Sequence, residues 1–401
     1  MNVISNTGLP IKSWCVDMEA QCMEQLLNLA QLPFAFKHIA EMPDGHMGYG
    51  MPIGGVLCTG GKRGNKSVTP VVIPNAVGVD IGCSVSVFKT SLMKEDLPLV
   101  LLNRVKDEIL RNVPVGFAHR SKPCLDSEMP FYATDLPPVC KKQYQNARTQ
   151  MGTLGGGNHF IEIQHDEAGA VYVMIHSGSR NLGKQVCDYY NAEAKKLNAQ
   201  WHTSVSPSAD LAFLPINDVM GALYMMEMQY CLEFSTLNHV SMAGAVQRAI
   251  CTALPFMPTP VQFSDFKHVQ HNYAAWENHF GENVIIHRKG ATSARLGQLG
   301  IIPGSQGTNS YIVEGLGNPE SFMSCSHGAG RRLGRKRAIA ELDLAVEVKM
   351  MEDKGIAHSI RGAKDLDEAP GSYKNIDDVM EAQKDLVKIV KKLTPMGVVK
   401  G

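Results

Sequence analysis

The residues able to do chemistry in this 401-residue chain are strung far apart, each inside a short glycine-bounded motif. Asp80 and Cys83 lie in VGVDIGC, His159 in GTLGGGNHF, His176 in MIHSGSR, His287 in IIHRKGAT and His327 in CSHGAGR. A lone histidine is most often a satisfied core residue, and a lone cysteine a small buried hydrophobe. Five potential ligands at strand ends or turns, joined by a histidine heading a phosphate-sized loop, instead suggest a polynuclear metal site that handles phosphate. For Asp80 and His327 to meet, residues 1–401 must fold as one interleaved unit rather than as separable domains.

Length alone allows two or three domains, but no linker, repeat or low-complexity tract marks a cut. Lys+Arg and Asp+Glu both total 39, so the molecule exerts no global pull on nucleic acid. A polyanion has to be held by local patches such as Lys62, Arg63 and Lys66, or the run Arg331, Arg332, Arg335, Lys336 and Arg337. A solvated face is the commoner fate of such groups, and the better account of the first. Ten cysteines without a paired framework, a start lacking a signal-peptide core, and no apolar stretch near 20 residues imply a cytoplasmic chain with reduced thiols and no membrane contact.

Periodicity predicts a helix capped by Asp17, with Met18, Cys22, Leu26 and Ala30 on one stripe and Pro33 as its stop. Further helices are expected around Leu102–Ile109, 184–201, 217–254, 333–352 and 375–393. The longest carries Met220, Leu223, Met226, Tyr230 and Phe234, a stripe that reads as core. The glycine-rich segment 42–61 predicts loops and a short strand close to a ligand, with Asp44 and His46 facing it; residues 62–70 read as a surface loop. VVIP and SVSVF read as strands about a DIGC turn.

FIEIQHDEAGAVYVMI reads as a hairpin turning at Asp166–Gly169. A turn centred there sets Ile163 opposite Tyr172, Ile161 opposite Met174 and His159 opposite His176, where two imidazoles can share a metal centre; a one-residue slip would break the register. Asp80 and Cys83, three apart around Gly82, can bend toward one cation, and a thiolate can bridge two.

Gly155-Gly156-Gly157, Gly304-Ser305-Gln306-Gly307 and Gly328-Ala329-Gly330 could present backbone N–H groups to phosphates, although ordinary tight turns are the commoner use of such clusters. Neither a Walker P-loop nor the K-x-D-G lysine of ordinary nucleotidyl ligases is present. A nucleotide intermediate therefore needs another nucleophile, and a neutral imidazole can attack an α-phosphate.

Together VGVDIGC, GTLGGGNHF, HSGSR, HRKGAT, PGSQGT, HGAGR and the terminal VVKG resemble the RtcB family of RNA-splicing ligases, in order from about Pro43 to Gly401. The resemblance implies a mixed α/β (α+β) fold, with central sheets flanked by helices and a metal pocket at strand ends. It implies GTP- and Mn²⁺-dependent joining of RNA 2′,3′-cyclic phosphate or 3′-phosphate ends to 5′-hydroxyl ends. His327 would be guanylylated, and Asp80, Cys83, His159, His176 and His287 would hold two Mn²⁺ ions with Cys83 bridging. Around the guanine nucleotide it places Asn158, His159, Phe160, Ile161, Glu162, His287, Arg288, Pro303, Gly304, Ser305, Gln306, Ser310, His327, Gly328, Ala329, Gly330 and Lys400. A monomer is the expected state. Asn181, Gly334, His239 and Gly45 depart from the family pattern and imply a divergent branch of bacterial type. A metal phosphoesterase would keep the ligands but not need His327, and a nucleotide- or RNA-binding relative without activity would need neither the full ligand set nor His327.

Overall fold

Runs rich in β-branched and aromatic residues pair into two large sheets in the computed structural model, which describes residues 1–5, 8–131 and 135–401. The first sheet has strand order Asn2–Ile4, Ile11–Ser13, Ala35–His46, Ile53–Gly60, Glu282–Lys289, Asn272–His279. The second runs Phe263–Gln270, Ser84–Met93, Ala170–Ser177, Phe160–His165, Val387–Lys400, Ser310–Gly315, Leu299–Ile302. Neighbours in it are all antiparallel. Strands Phe263–Gln270 and Asn272–His279 belong to different sheets, so His271 alone carries the chain from one to the other. The architecture is mixed α/β, as expected.

Strand alternation sorts the second sheet's side chains onto two cores. Ile161, Ile163, Val173 and Ile175 pack on Leu102, Val105 and Ile109 of helix Leu99–Asn112 and on Val246 and Ala249 of helix Val219–Ala253. On the other face, Phe160, Tyr172, Met174 and Val398 meet Met351, Ile356 and Leu366. The long helix starts at Asp218, whose carboxylate accepts the Met220 N–H at 3.0 Å. Its buried Glu227 caps a second helix, accepting N–H bonds from Val139 at 3.1 Å and Cys140 at 2.7 Å. Met226, assigned to the core stripe, is exposed, and Tyr224 and Cys231 are buried instead.

Several expected elements differ. The first helix is Ala20–Ala30, and Asp17 does not cap it: its carboxylate pairs with Lys374 Nζ at 2.7 Å. Segment 42–61 is mostly strand, with glycines such as Gly54 at φ 94 taking conformations closed to other residues. Residues 62–67 make a small hairpin rather than a loop. The helix expected over 333–352 is two, Arg335–Glu341 and Leu344–Asp353, because Asp343 accepts from the N–H groups of Ala345 and Val346 and starts a new one. The helix expected over 375–393 ends at Ala382, and Val387–Lys400 is a strand.

The hairpin has a different register. Its loop is Glu167-Ala168-Gly169, with Gly169 at φ 83, and the Asp166 carboxylate accepts from Ala168 and Ala170 N–H groups at 3.0 Å. A loop closed by the Gly169 N–H on the Asp166 carbonyl at 3.0 Å, and ending on a left-handed glycine, adds one residue to the turn. His176 therefore stands opposite Phe160, Met174 opposite Glu162 and Tyr172 opposite Gln164.

Candidate active site

His159 still reaches His176, from the loop just before the strand: their rings are 5.4 Å apart between centroids. Cys83, on the turn before strand Ser84–Met93, brings Sγ to 3.2 Å from His176 Nε2 and 3.6 Å from His159 Nε2. Asp80 Oδ2 lies 3.3 Å from His159 Nε2. Ligand atoms of Asp80, Cys83 and His159 form one group within 4.8 Å, and those of Cys83, His176 and His271 form another. Cys83 is common to both.

His287 is not in either group. Its Nε2 accepts the Ile73 N–H at 3.0 Å and its Nδ1 faces the Leu57 carbonyl at 3.3 Å, so both ring nitrogens are spent on backbone. Burial pushes this ring's pKa down to about 4, which keeps it neutral in that role. His271, at the crossover between sheets, takes the place assigned to it. Its Nδ1 is buried without a hydrogen-bond partner.

These donors fit a pair of divalent cations. Thiolate, carboxylate and imidazole together suit Mn²⁺, Fe²⁺ or Zn²⁺, and an orphaned imidazole nitrogen in a buried cluster is what a cation would satisfy. Burial, then the nearby imidazoles, drives His176 and His271 well below the usual histidine range. Burial and the Asp80 charge hold the Cys83 thiol well above its usual range. Burial also opposes the Asp80 charge, but the His159 hydrogen bond and its Coulombic pull outweigh it and keep Asp80 low. A cation between these groups reverses the penalties on the thiolate. The His159 ring is oriented from behind by the Leu154 carbonyl, 2.9 Å from Nδ1, which leaves Nε2 facing Asp80 and Cys83. Arg180 lies beside the same ring, 3.3 Å from Nδ1, and holds a left-handed φ of 60.

His327 follows strand Ser324–Ser326 and faces the same cavity, of about 290 Å³. Asp44 Oδ2 accepts from His327 Nδ1 at 2.6 Å and from the backbone N–H groups of His327 and Gly328 at 3.1 and 3.3 Å. This fixes the proton on Nδ1 and leaves Nε2 with a free lone pair. The ring centroid is 4.8 Å from that of His271. His46 also lines the cavity, as expected of the 42–61 segment.

Of the expected nucleotide contacts, Asn158, Phe160, Glu162, Pro303, Gly304, Ser305, Gln306, Gly330 and Lys400 line this cavity. Ser310 braces it, accepting from Gly304 N–H at 3.1 Å and Gln164 Nε2 at 2.9 Å. Ile161 does not line it, because strand alternation turns it to the opposite core. Arg288 is fully buried against Glu277, at 2.6 Å, and the Phe322 carbonyl. Ala329 packs into a separate apolar cluster.

Lys400, at the end of the strand whose first half had been expected as helix, is drawn into the cavity with Nζ 3.4 Å from Glu368 and 5.6 Å from the centroid of the Phe160 ring. Glu368 also binds Arg331, Tyr373 and, at 3.3 Å, Arg335. The basic run noted in the sequence thus faces the site through Arg331 and Arg335. Burial raises Glu162 to about 8, against the opposing pull of Gln164 and Lys400. His271, Arg180, Asn272 and Tyr373 were not picked out in the sequence; the glycine-bounded pattern excludes His271, which is preceded by Gln270 and followed by Asn272.

A profile of the family described as tRNA-splicing ligase RtcB matches residues 25–130 and 127–401. This chain belongs to the RtcB family. It is 37% identical to the RNA-splicing ligase RtcB of Escherichia coli (strain K12), across 100% of this chain and 99% of that one. The tRNA-splicing ligase RtcB of Thermococcus kodakarensis is 30% identical, over 94% of this chain and 91% of its own. That of Archaeoglobus fulgidus is 32% identical, over 96% and 92%. Among the described residues, no helix is long and apolar enough to cross a membrane.

Proposed function

We propose that this RtcB-family chain is an RNA ligase that uses GTP and Mn²⁺ to join 3′-phosphate or 2′,3′-cyclic phosphate ends to 5′-hydroxyl ends. The observation that carries this is the Asp44–His327 pair at 2.6 Å, which aims a free imidazole nitrogen into a cavity shared with the Cys83 cluster. His327 Nε2 attacks the α-phosphorus of GTP; an N–P bond forms as the bond to pyrophosphate breaks. The positive charge that develops on the imidazole is held by the Asp44 carboxylate. An oxygen of the RNA 3′-phosphate then takes GMP from His327. The 5′-hydroxyl attacks that activated phosphorus, forming the new phosphodiester and expelling GMP. A cyclic phosphate is first opened by water.

Asp80, Cys83, His159, His176 and His271 would hold two Mn²⁺ ions, Cys83 being common to both ligand groups, and the ions would supply compensation of phosphate charge and a water of lowered pKa. Glu162 and Lys400 sit where the guanine edge is expected, with Phe160 beneath Lys400. Arg331 and Arg335 in the cavity wall, and Arg180 beside the His159 ring, bring positive charge that the neutral whole molecule lacks. All of these groups come from one chain, so a monomer suffices, working in the cytoplasm.

Incubation with α-labelled GTP and Mn²⁺ tests the reading. Label is expected on the protein in an acid-labile, base-stable bond, absent from His327→Ala and reduced about a hundredfold or more in Asp44→Asn. Undiminished labelling of His327→Ala would refute it.

A further inference from the structure

The segment Pro114–Pro123 (PVGFAHRSKP) has no part in the chemistry above, yet it is pinned along the strip of glycines that leads into His159. Leu154 N–H donates to the Pro114 carbonyl at 2.9 Å, and Gly116 N–H donates to the Gly155 carbonyl at 2.8 Å. Ala118 N–H closes a turn on Val115 at 3.1 Å, and Arg120 N–H is tied to Thr149 at 2.9 Å. Three of these bonds tie the segment to the rest of the fold, and the fourth shapes its tip. Phe117 at its tip is nonetheless fully solvent-exposed, at 104%. A fully exposed aromatic ring, on a backbone tethered beside the loop that leads into His159, offers an open face for stacking.

The surroundings say what kind. On the inner side, Gly155 lies directly against the Arg180 guanidinium, and Gly157 abuts Arg335. The loop to which the Phe117 segment is tied is thus packed against two arginines, one beside the His159 ring and the other on Glu368. His119 and Lys122 are exposed on the same segment. Neither residues 111–125 nor 151–161 include a single Asp or Glu. A protein partner seated on one phenylalanine would not require an acid-free, cation-bordered strip; a polyanion with flat bases does.

We propose that Phe117 is a stacking platform for an unpaired base of the RNA strand beside the end being joined, with its phosphates beside the exposed His119 and Lys122. This rests on the reading of the chain as an RNA ligase. Base–aromatic stacking tolerates any sequence and typically changes affinity by about tenfold or more per base.

The probe is a short single-stranded RNA with 2-aminopurine as the nucleotide next to the 3′-phosphate, and a second with it next to the 5′-hydroxyl. Wild-type protein should quench one of them. Phe117→Ala should lose the quench and bind that RNA about tenfold more weakly, and Phe117→Trp should retain both. GTP labelling of His327 should be equal in all three, which controls for folding. Unaltered quenching and affinity in Phe117→Ala, or no quench of either RNA by wild type, would overturn the proposal and leave the ring to a protein contact. The RNA measurements need no GTP, so a wild type that fails to label would strike the ligase reading separately.

Discussion

At the scale of single residues, the exchange of His287 for His271 is the sharpest point. Both are histidines in the right part of the chain, and local sequence favoured the one beside a glycine. What separates them is where their ring nitrogens are spent, which only three-dimensional backbone geometry decides. Elemental analysis of purified variants checks it. His271→Ala should lose about one ion per chain and Cys83→Ser should weaken both. His287→Ala should keep two and lose about 1–3 kcal/mol of stability, because it leaves a buried N–H and carbonyl unpaired. An ion missing from His287→Ala would restore the original assignment. Glu162 leads to a pH dependence. Its pKa is raised to about 8 by burial, so the carboxyl is mostly protonated at pH 7 in the free protein. A guanine edge presents N–H donors and needs the carboxylate. GTP affinity should then rise with pH by up to about tenfold per unit and level off above 8. Glu162→Gln should bind GTP more weakly and flatten the profile over pH 6–9; an unchanged profile would remove Glu162 from the nucleotide contact.

At the scale of elements, strongly periodic segments were legible and one-residue matters were not. The long helix appears at Val219–Ala253 against an expected 217–254, since so long a proline-free run rich in Met, Leu and Ala has no competitor. The Phe160–Ser177 hairpin was legible as a hairpin, but its register depends on whether Gly169 belongs to the turn, and alternation of Ile161 and Ile163 cannot tell. That His159 reaches His176 despite the slip reflects its position in the loop, outside the ladder. Strand Val387–Lys400 escaped because Lys388, Lys391 and Lys392 blur a period of two; its outer half is exposed and only its inner half is buried. Gly169→Val tests the hairpin. An added Cβ meets nothing closer than Met93 Cε at 3.4 Å, so the cost is that of φ 83 alone, about 1–2 kcal/mol. Urea unfolding should show that loss, with GTP labelling retained in the folded fraction. A wild-type midpoint would mean the turn is built differently.

At the scale of the molecule, the site is where the two sheets are tied. Asp44 belongs to the first sheet, His176 and Lys400 to the second, and His327 reaches Asp44 across 283 positions of sequence. The convergence was legible as a requirement on the fold, but not which strands would meet it. Occupancy of such a junction stabilises both halves together. Removing metal from loaded protein should lower the melting temperature in one cooperative step, and saturation at a hundred times Kd should contribute about 2.7 kcal/mol. Calorimetry that resolved two transitions, only one of them metal-sensitive, would contradict this coupling.

The crossover at His271 also bears on where the chain can change length. One residue joins strands that are in register with fixed neighbours on both sides, Gln270 with Ser84 and Asn272 with Lys289. There is no slack: one added residue must either turn a strand's side chains to the wrong face or move the imidazole off the cluster. The tip of the 62–67 hairpin at Gly64 is open space, and that is where a tag or a grafted peptide would be accommodated.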